Sequence, residues 1–137
     1  MSHWANQYIG KAWQAGTDGP DAYDCYSFFR MVMREHYGLE VPAVSVDANN
    51  IKEAIRAFRD TDDAYSGWIE VDHPADGDAV LMAHARYPSH IGVWIVTPGM
   101  SGALHCVEGL GVVFSSLSSL NAAGWGKKQY WRYQWPA

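Results

Sequence analysis

The chain has 137 residues and a mass of 15.3 kDa, which suits one domain spanning 1–137. It is 48% hydrophobic, with seven Trp and eight Tyr, and only 18% charged, so it can fill a core and does not read as disordered. A formal net charge of −5 excludes an electrostatically driven grip on nucleic acid or on an anionic membrane, and no apolar run approaches the ~20 residues that span a bilayer.

In chain order, 3–9 predicts a short helix that stops at Gly10, and a loop rich in Gly, Asp and Pro follows over 16–21. The strongest helix signal covers 23–37. Asp21 and Asp24 can accept from the free N–H groups of its first turn, and Gly38 is a natural stop. Cys25, Phe28, Phe29, Val32 and His36 recur at helical spacing, so this helix buries the face that begins with the cysteine. A more polar helix is predicted over 49–59, with Ile51, Ala54, Ile55 and Phe58 inward. Asp60, Asp62 and Asp63 resemble a piece of a calcium loop, but the Gly and terminal Glu are missing, and a solvated helix exit is the simpler account.

Beyond this point the period changes to two. Strands are predicted over 67–71, 79–83, 90–96, 103–107, 112–114 and 129–134. Helices first and strands after, with short connections, predict an α+β fold with a central antiparallel sheet.

Three side chains could carry chemistry together. Cys25 stands at a helix start, where unpaired N–H groups and the positive dipole end favour a thiolate and could hold an oxyanion. His90 begins a strand whose alternation places His90, Gly92 and Trp94 on one face, and Gly92 leaves room beside the imidazole. His105, on the next strand, can point to the same face. A thiol, an imidazole base and a third polar group form a generalised triad. Taken singly, Cys25 also reads as a small buried hydrophobe, and the two histidines as structural residues. Cys106 points away from His105 and reads as core. His3, His36, His73 and His84 show no metal-ligand spacing, so neither metal nor other cofactor is expected. His84 falls in a loop that could border a cleft. The tail 125–135 carries Lys127, Lys128 and Arg132 among aromatic residues; it could be a sugar-contacting surface, or more simply a last strand packing its aromatics.

The order of these elements resembles the NlpC/P60 family. Gly10-Lys11-Ala12-Trp13-Gln14-Ala15-Gly16 followed by Tyr23-Asp24-Cys25-Tyr26-Ser27 is similar to that family's opening, Asp76-Gly77-Asp78 to its Pro-Gly-Asp segment, and His90-Ile91-Gly92-Val93-Trp94 to its His-Val-Gly-Ile-Tyr strand, with Leu104-His105 at its third polar position. The resemblance runs from about residue 5 to residue 115. It implies a papain-like fold with N-terminal helices packed on the sheet. Cys25 would be the nucleophile, His90 the base and later the acid, and His105 the orienting residue. It implies substrate contacts at Trp13, Asp24, Tyr26 and Ser27. Trp13 stands where the family usually has Tyr, Tyr26 replaces a Ser and Ser27 a Gly, which bears on specificity.

The substrates so implied are murein stem peptides, cut at bonds such as D-γ-glutamyl–diamino acid. The wording of Gly10 to Trp13 and Asp24 to Ser27 is most similar to phage tail-associated members, which implies phage tail proteins as partners and a place in the virion. The first residues lack the basic and then apolar pattern of a secretory signal, so cytoplasmic synthesis is the expectation. A catalytically silent tail assembly subunit, or an acyltransferase or amidase on the same scaffold, are the alternatives.

Overall fold

The computed structural model describes residues 3–41, 67–86 and 88–134. The helix expected over 49–59 and the acidic cluster at Asp60, Asp62 and Asp63 lie outside them. A single 3-10 turn, Trp4–Gln7, opens the described chain in place of the longer helix expected there. Two short strands follow, β1 (Ala12–Trp13) and β2 (Ala22–Tyr23), which pair in parallel.

Helix α1 runs Cys25–Tyr37. Asp24 is its N-cap, and with Ser27 it forms a reciprocal capping box. Asp24 Oδ1 accepts the Ser27 N–H at 2.8 Å and Ser27 Oγ accepts the Asp24 N–H at 3.1 Å, so two of the turn's orphan donors are satisfied. At the other end Gly38 takes φ 68°, a left-handed cap that costs a glycine little, and its N–H bonds the Met33 carbonyl. Phe28, Phe29 and Val32 on the inner face have no exposure at all, while His36 at the end of the same stripe is half-buried.

The remaining strands are β3 (Trp68–Val71), β4 (Ala79–Ala83), β5 (His90–Thr97), β6 (Met100–Val107), β7 (Gly111–Ser115) and β8 (Lys127–Tyr133), with helix α2 (Leu117–Ala122) between the last two. They form one six-stranded antiparallel sheet in the order β3-β8-β4-β5-β6-β7. The final strand is thus an interior one: β8 separates β3 from β4. A buried carboxylate helps hold it there. Asp78, just before β4, accepts Arg132 Nε at 2.9 Å and the other arm of the same guanidinium at 2.8 Å, a fork-on-carboxylate pair that ties β8 to β4.

The sheet is buried on both faces. Helix α1 packs on Leu81, Ile91, Val93, Ile95, Leu104 and Cys106, the larger apolar cluster. On the other face Val80, Met82, Trp94 and Ala103 are covered by Leu120 of α2 and by Trp125 from the loop after it. Strand alternation produces the division, since successive side chains of one strand point to opposite faces.

Candidate active site

Cys25 is the first residue of α1, and His90 the first of β5. The β5–β6 ladder runs from Thr97↔Met100 only as far as Val93↔Leu104, so the two strands part beyond Val93, towards His90 and His105. The start of α1 meets the sheet at this parting. The backbone N–H groups of Ile91, Cys25 and Tyr26 act on the Cys25 thiol, and Ile91 directly follows His90. Cys106, on the helix-facing side of β6, donates its S–H to the Tyr23 carbonyl at 3.3 Å and so anchors the strand that leads into α1. Both cysteines are free and buried.

On the opposite face, His90 and His105 come together. His90 Nε2 lies 2.8 Å from His105 Nδ1, and His105 Nε2 lies 2.9 Å from Ser115 Oγ on β7. Three strands therefore contribute one hydrogen-bonded chain. His90 is 5% exposed and His105 2%, so the bonds are made away from water, where they are strongest and costliest to break. Trp125 lies over the His90 ring at 4.9 Å with the planes 18° apart, and His84, in the loop after β4, stacks on Trp125 at 3.5 Å. Neither Ser115 nor Trp125 stands out in the sequence. Ser115 follows Val113, the cross-strand partner of His105, at the alternating position, and Trp125 arrives through the turn after α2.

Burial sets the charges. The Cys25 thiol is pushed up to about 12, first because it is desolvated and second because the Asp24 carboxylate repels a thiolate; the three N–H groups pull the other way. Sequence alone predicts a thiolate-favouring helix end. The helix does supply that pull, but desolvation outweighs it. Burial likewise drives His90 well below the ordinary imidazole range, with the His105 and His84 rings adding to it, and takes His105 down to about 4. At neutral pH the Cys25 thiol and the His90 and His105 imidazoles are all uncharged.

The other expected contacts are placed as follows. Asp24 and Ser27 spend their polar atoms on the capping box, and Ser27 Oγ also donates to the Thr17 carbonyl at 2.6 Å. Tyr26 is buried beside Phe29, their rings 6.2 Å apart edge to face. Trp13, on β1, packs half-buried against the larger cluster. Hollows open on the described surface at both ends of β5. A hollow of about 910 Å³, lined by Trp4, Ile9, Ile95 and Met100, lies at the far end of β5 from His90. A smaller hollow of about 410 Å³ lies at the His90 end, between β4, β8 and the loop after β4.

With this geometry in place, comparison with protein families matches the NlpC/P60 family over residues 10–133. The chain belongs to the NlpC/P60 family. Members of this family are in general cell-wall peptidases that act on peptidoglycan peptides, and the α+β arrangement of helices on an antiparallel sheet agrees with membership. A search of curated proteins finds no match.

Proposed function

We propose that the chain is a cysteine peptidase of murein peptides, in which Cys25 is the nucleophile, His90 the base and then the acid, and His105 the orienting residue. The observation that carries this reading is the buried His90–His105–Ser115 chain, together with the Ile91 N–H, one residue after His90, acting on the Cys25 thiol. With Nε2 of His90 committed to His105, Nδ1 is the atom free to take the thiol proton. Nε2 then carries its own proton and donates to His105 Nδ1, and His105 Nε2–H donates to Ser115 Oγ. Sulfur attacks the amide carbonyl as its proton passes to His90. The N–H groups of the first turn of α1 hold the oxyanion, His90 returns the proton to the leaving amine, and water activated by His90 cleaves the thioester. Because the resting pair is neutral, the transfer accompanies attack and does not precede it.

Cys25→Ala and His90→Ala should each abolish hydrolysis of a defined stem peptide; Cys25→Ala should melt near the parent, whereas His90→Ala should melt lower because it leaves His105 Nδ1 without its buried partner. Unchanged turnover in either ends this reading. Mass spectrometry of the products separates hydrolysis at the D-γ-glutamyl–diamino acid bond from acyl transfer or another amidase cut. The wording around Trp13 and Cys25 supports a setting in a phage tail, where the enzyme would open murein locally; proteomics of purified virions tests that.

One observation favours a second reading, a catalytically silent tail assembly subunit: the Cys25 thiol is buried and pushed up to about 12. The pH profile of alkylation by iodoacetamide in the presence of a stem peptide decides between them. Peptide that accelerates alkylation supports catalysis, and slow alkylation unaltered by peptide supports the silent subunit.

A further inference from the structure

The hairpin that carries the candidate base also grips an indole from outside it. His84 directly follows β4 and His90 opens β5, so the two imidazoles stand at the two ends of one loop. Both stack on Trp125, which arrives from the turn after α2. The His84 ring lies 3.5 Å from it with the planes 20° apart, and the His90 ring 4.9 Å away with the planes 18° apart. Gly124 lets His84 settle there, because a methyl carbon built on it would stand 3.0 Å from His84 Nδ1.

The rest of Trp125 is fixed by other groups. Its N–H donates to the Leu120 carbonyl at 2.9 Å, and its own carbonyl accepts the Lys128 ammonium at 2.7 Å. Lys128 also donates to Asn121 Oδ1 at 2.6 Å, tying the turn to α2. The indole packs with Val80, Met82, Trp94 and Leu120. His84 differs from all of these in being exposed, yet the ring it covers keeps only 9% of its surface in water. A surface side chain of this kind contributes little to stability, so what it adds is constraint on the ring beneath it.

That constraint reaches His90. An imidazole turns about two side-chain bonds, and the hydrogen bond between Nε2 and His105 Nδ1 fixes one atom of the ring without fixing its plane. The stack on Trp125 supplies the plane. Once both are set, the direction of Nδ1 follows, and proton transfer slows steeply when that direction is lost. We propose that His84 is a positioning residue, which through Trp125 fixes the plane of the His90 ring and the direction of Nδ1. Its effect on turnover rests on the peptidase reading; its hold on the ring does not.

Two variants of the full chain test it. His84→Ala removes the stack, and His84→Phe keeps a ring on Trp125 without a titratable group; both should melt near the parent, because the position is exposed. With a synthetic L-Ala–D-γ-Glu–diaminopimelate peptide, His84→Ala should lower kcat about fivefold at unchanged KM, the scale of one aromatic pair, and His84→Phe should come within about twofold of the parent. Nitrogen chemical shifts of the His90 ring, read without peptide, should show one tautomer in the parent and in His84→Phe, and a mixture in His84→Ala. His90 shifts or a kcat identical in the parent and His84→Ala overturn the proposal, as does a rise in KM alone or a loss that His84→Phe does not restore. A parent that leaves the peptide uncut overturns the peptidase reading instead, and the ring shifts then decide the clamp by themselves.

Discussion

Gly92 and His105 press together across β5 and β6: a methyl carbon built on Gly92 would stand 2.9 Å from His105 Cβ, 3.0 Å from the Leu104 carbonyl oxygen and 3.2 Å from Met82 Cε. The two nearest of these atoms belong to the backbone or adjoin it, so they cannot swing aside as the end of a long side chain does. The missing side chain is what lets His105 come within 2.8 Å of His90. We expect Gly92→Ala to lose about 1–3 kcal/mol of stability, as overpacking does. It should also part the two rings, with hydrolysis falling further than the change in melting temperature explains. Melting and turnover together check this, and a variant equal to the parent in both removes the argument.

Ser115 completes the chain from His90 through His105. Without its hydroxyl, His105 Nε2 loses its partner and the proton on that ring is no longer directed. Ser115→Ala should slow turnover by about fivefold, the worth of roughly 1 kcal/mol. Ser115→Thr, which keeps the hydroxyl, should restore it. Nitrogen chemical shifts of the His105 ring report its tautomer, and an unchanged tautomer in Ser115→Ala would remove this role.

Trp125 covers His90, and burial is the first cause of that ring's low proton affinity. Trp125→Ala should cost about 3 kcal/mol by leaving a cavity, and water entering there should raise the His90 pKa towards 6.5. Trp125→Phe should do less of both. A proton NMR titration that finds His90 unmoved in the alanine variant contradicts the burial account.

Stability should depend on pH from two directions. His90 and His105 are depressed in the folded state, so between pH 6.5 and about 4 the unfolded chain binds more protons; their contribution is complete above 6.5 and declines as pH falls through the window. Cys25 and Cys106 are raised from 9.0 to about 12, so the contribution of each is complete below pH 9.0 and declines as pH rises towards 12. Denaturant melts across this range should show a maximum between about 6.5 and 9, and His105→Gln should flatten the acid side. A profile flat from pH 4 to 6.5 would show that the histidines are not buried as described.

Elements whose causes lie within a few residues were legible from the chain alone. Asp24 and Gly38 delimit α1 because a cap needs only a side-chain acceptor at one end and a left-handed residue at the other. Strand alternation placed His90 and His105 on one face and Cys106 on the other, since the two-residue period is a property of the extended backbone. The short β1–β2 pair and α2 were not legible: two-residue strands and a six-residue helix carry too little periodicity to register.

What only the tertiary structure decided was everything set by summed or distant neighbours. The last strand lies inside the sheet because β8 pairs with both β3 and β4, a choice made across more than fifty residues by register and by the Asp78–Arg132 pair. Ser115 and Trp125 reach the histidines through the fold, and no spacing announces them. The charge state of Cys25 is the clearest case. The helix end that favours a thiolate is written in the local sequence, whereas desolvation accumulates from every group packed around the sulfur, and here it outweighs the pull of the helix end.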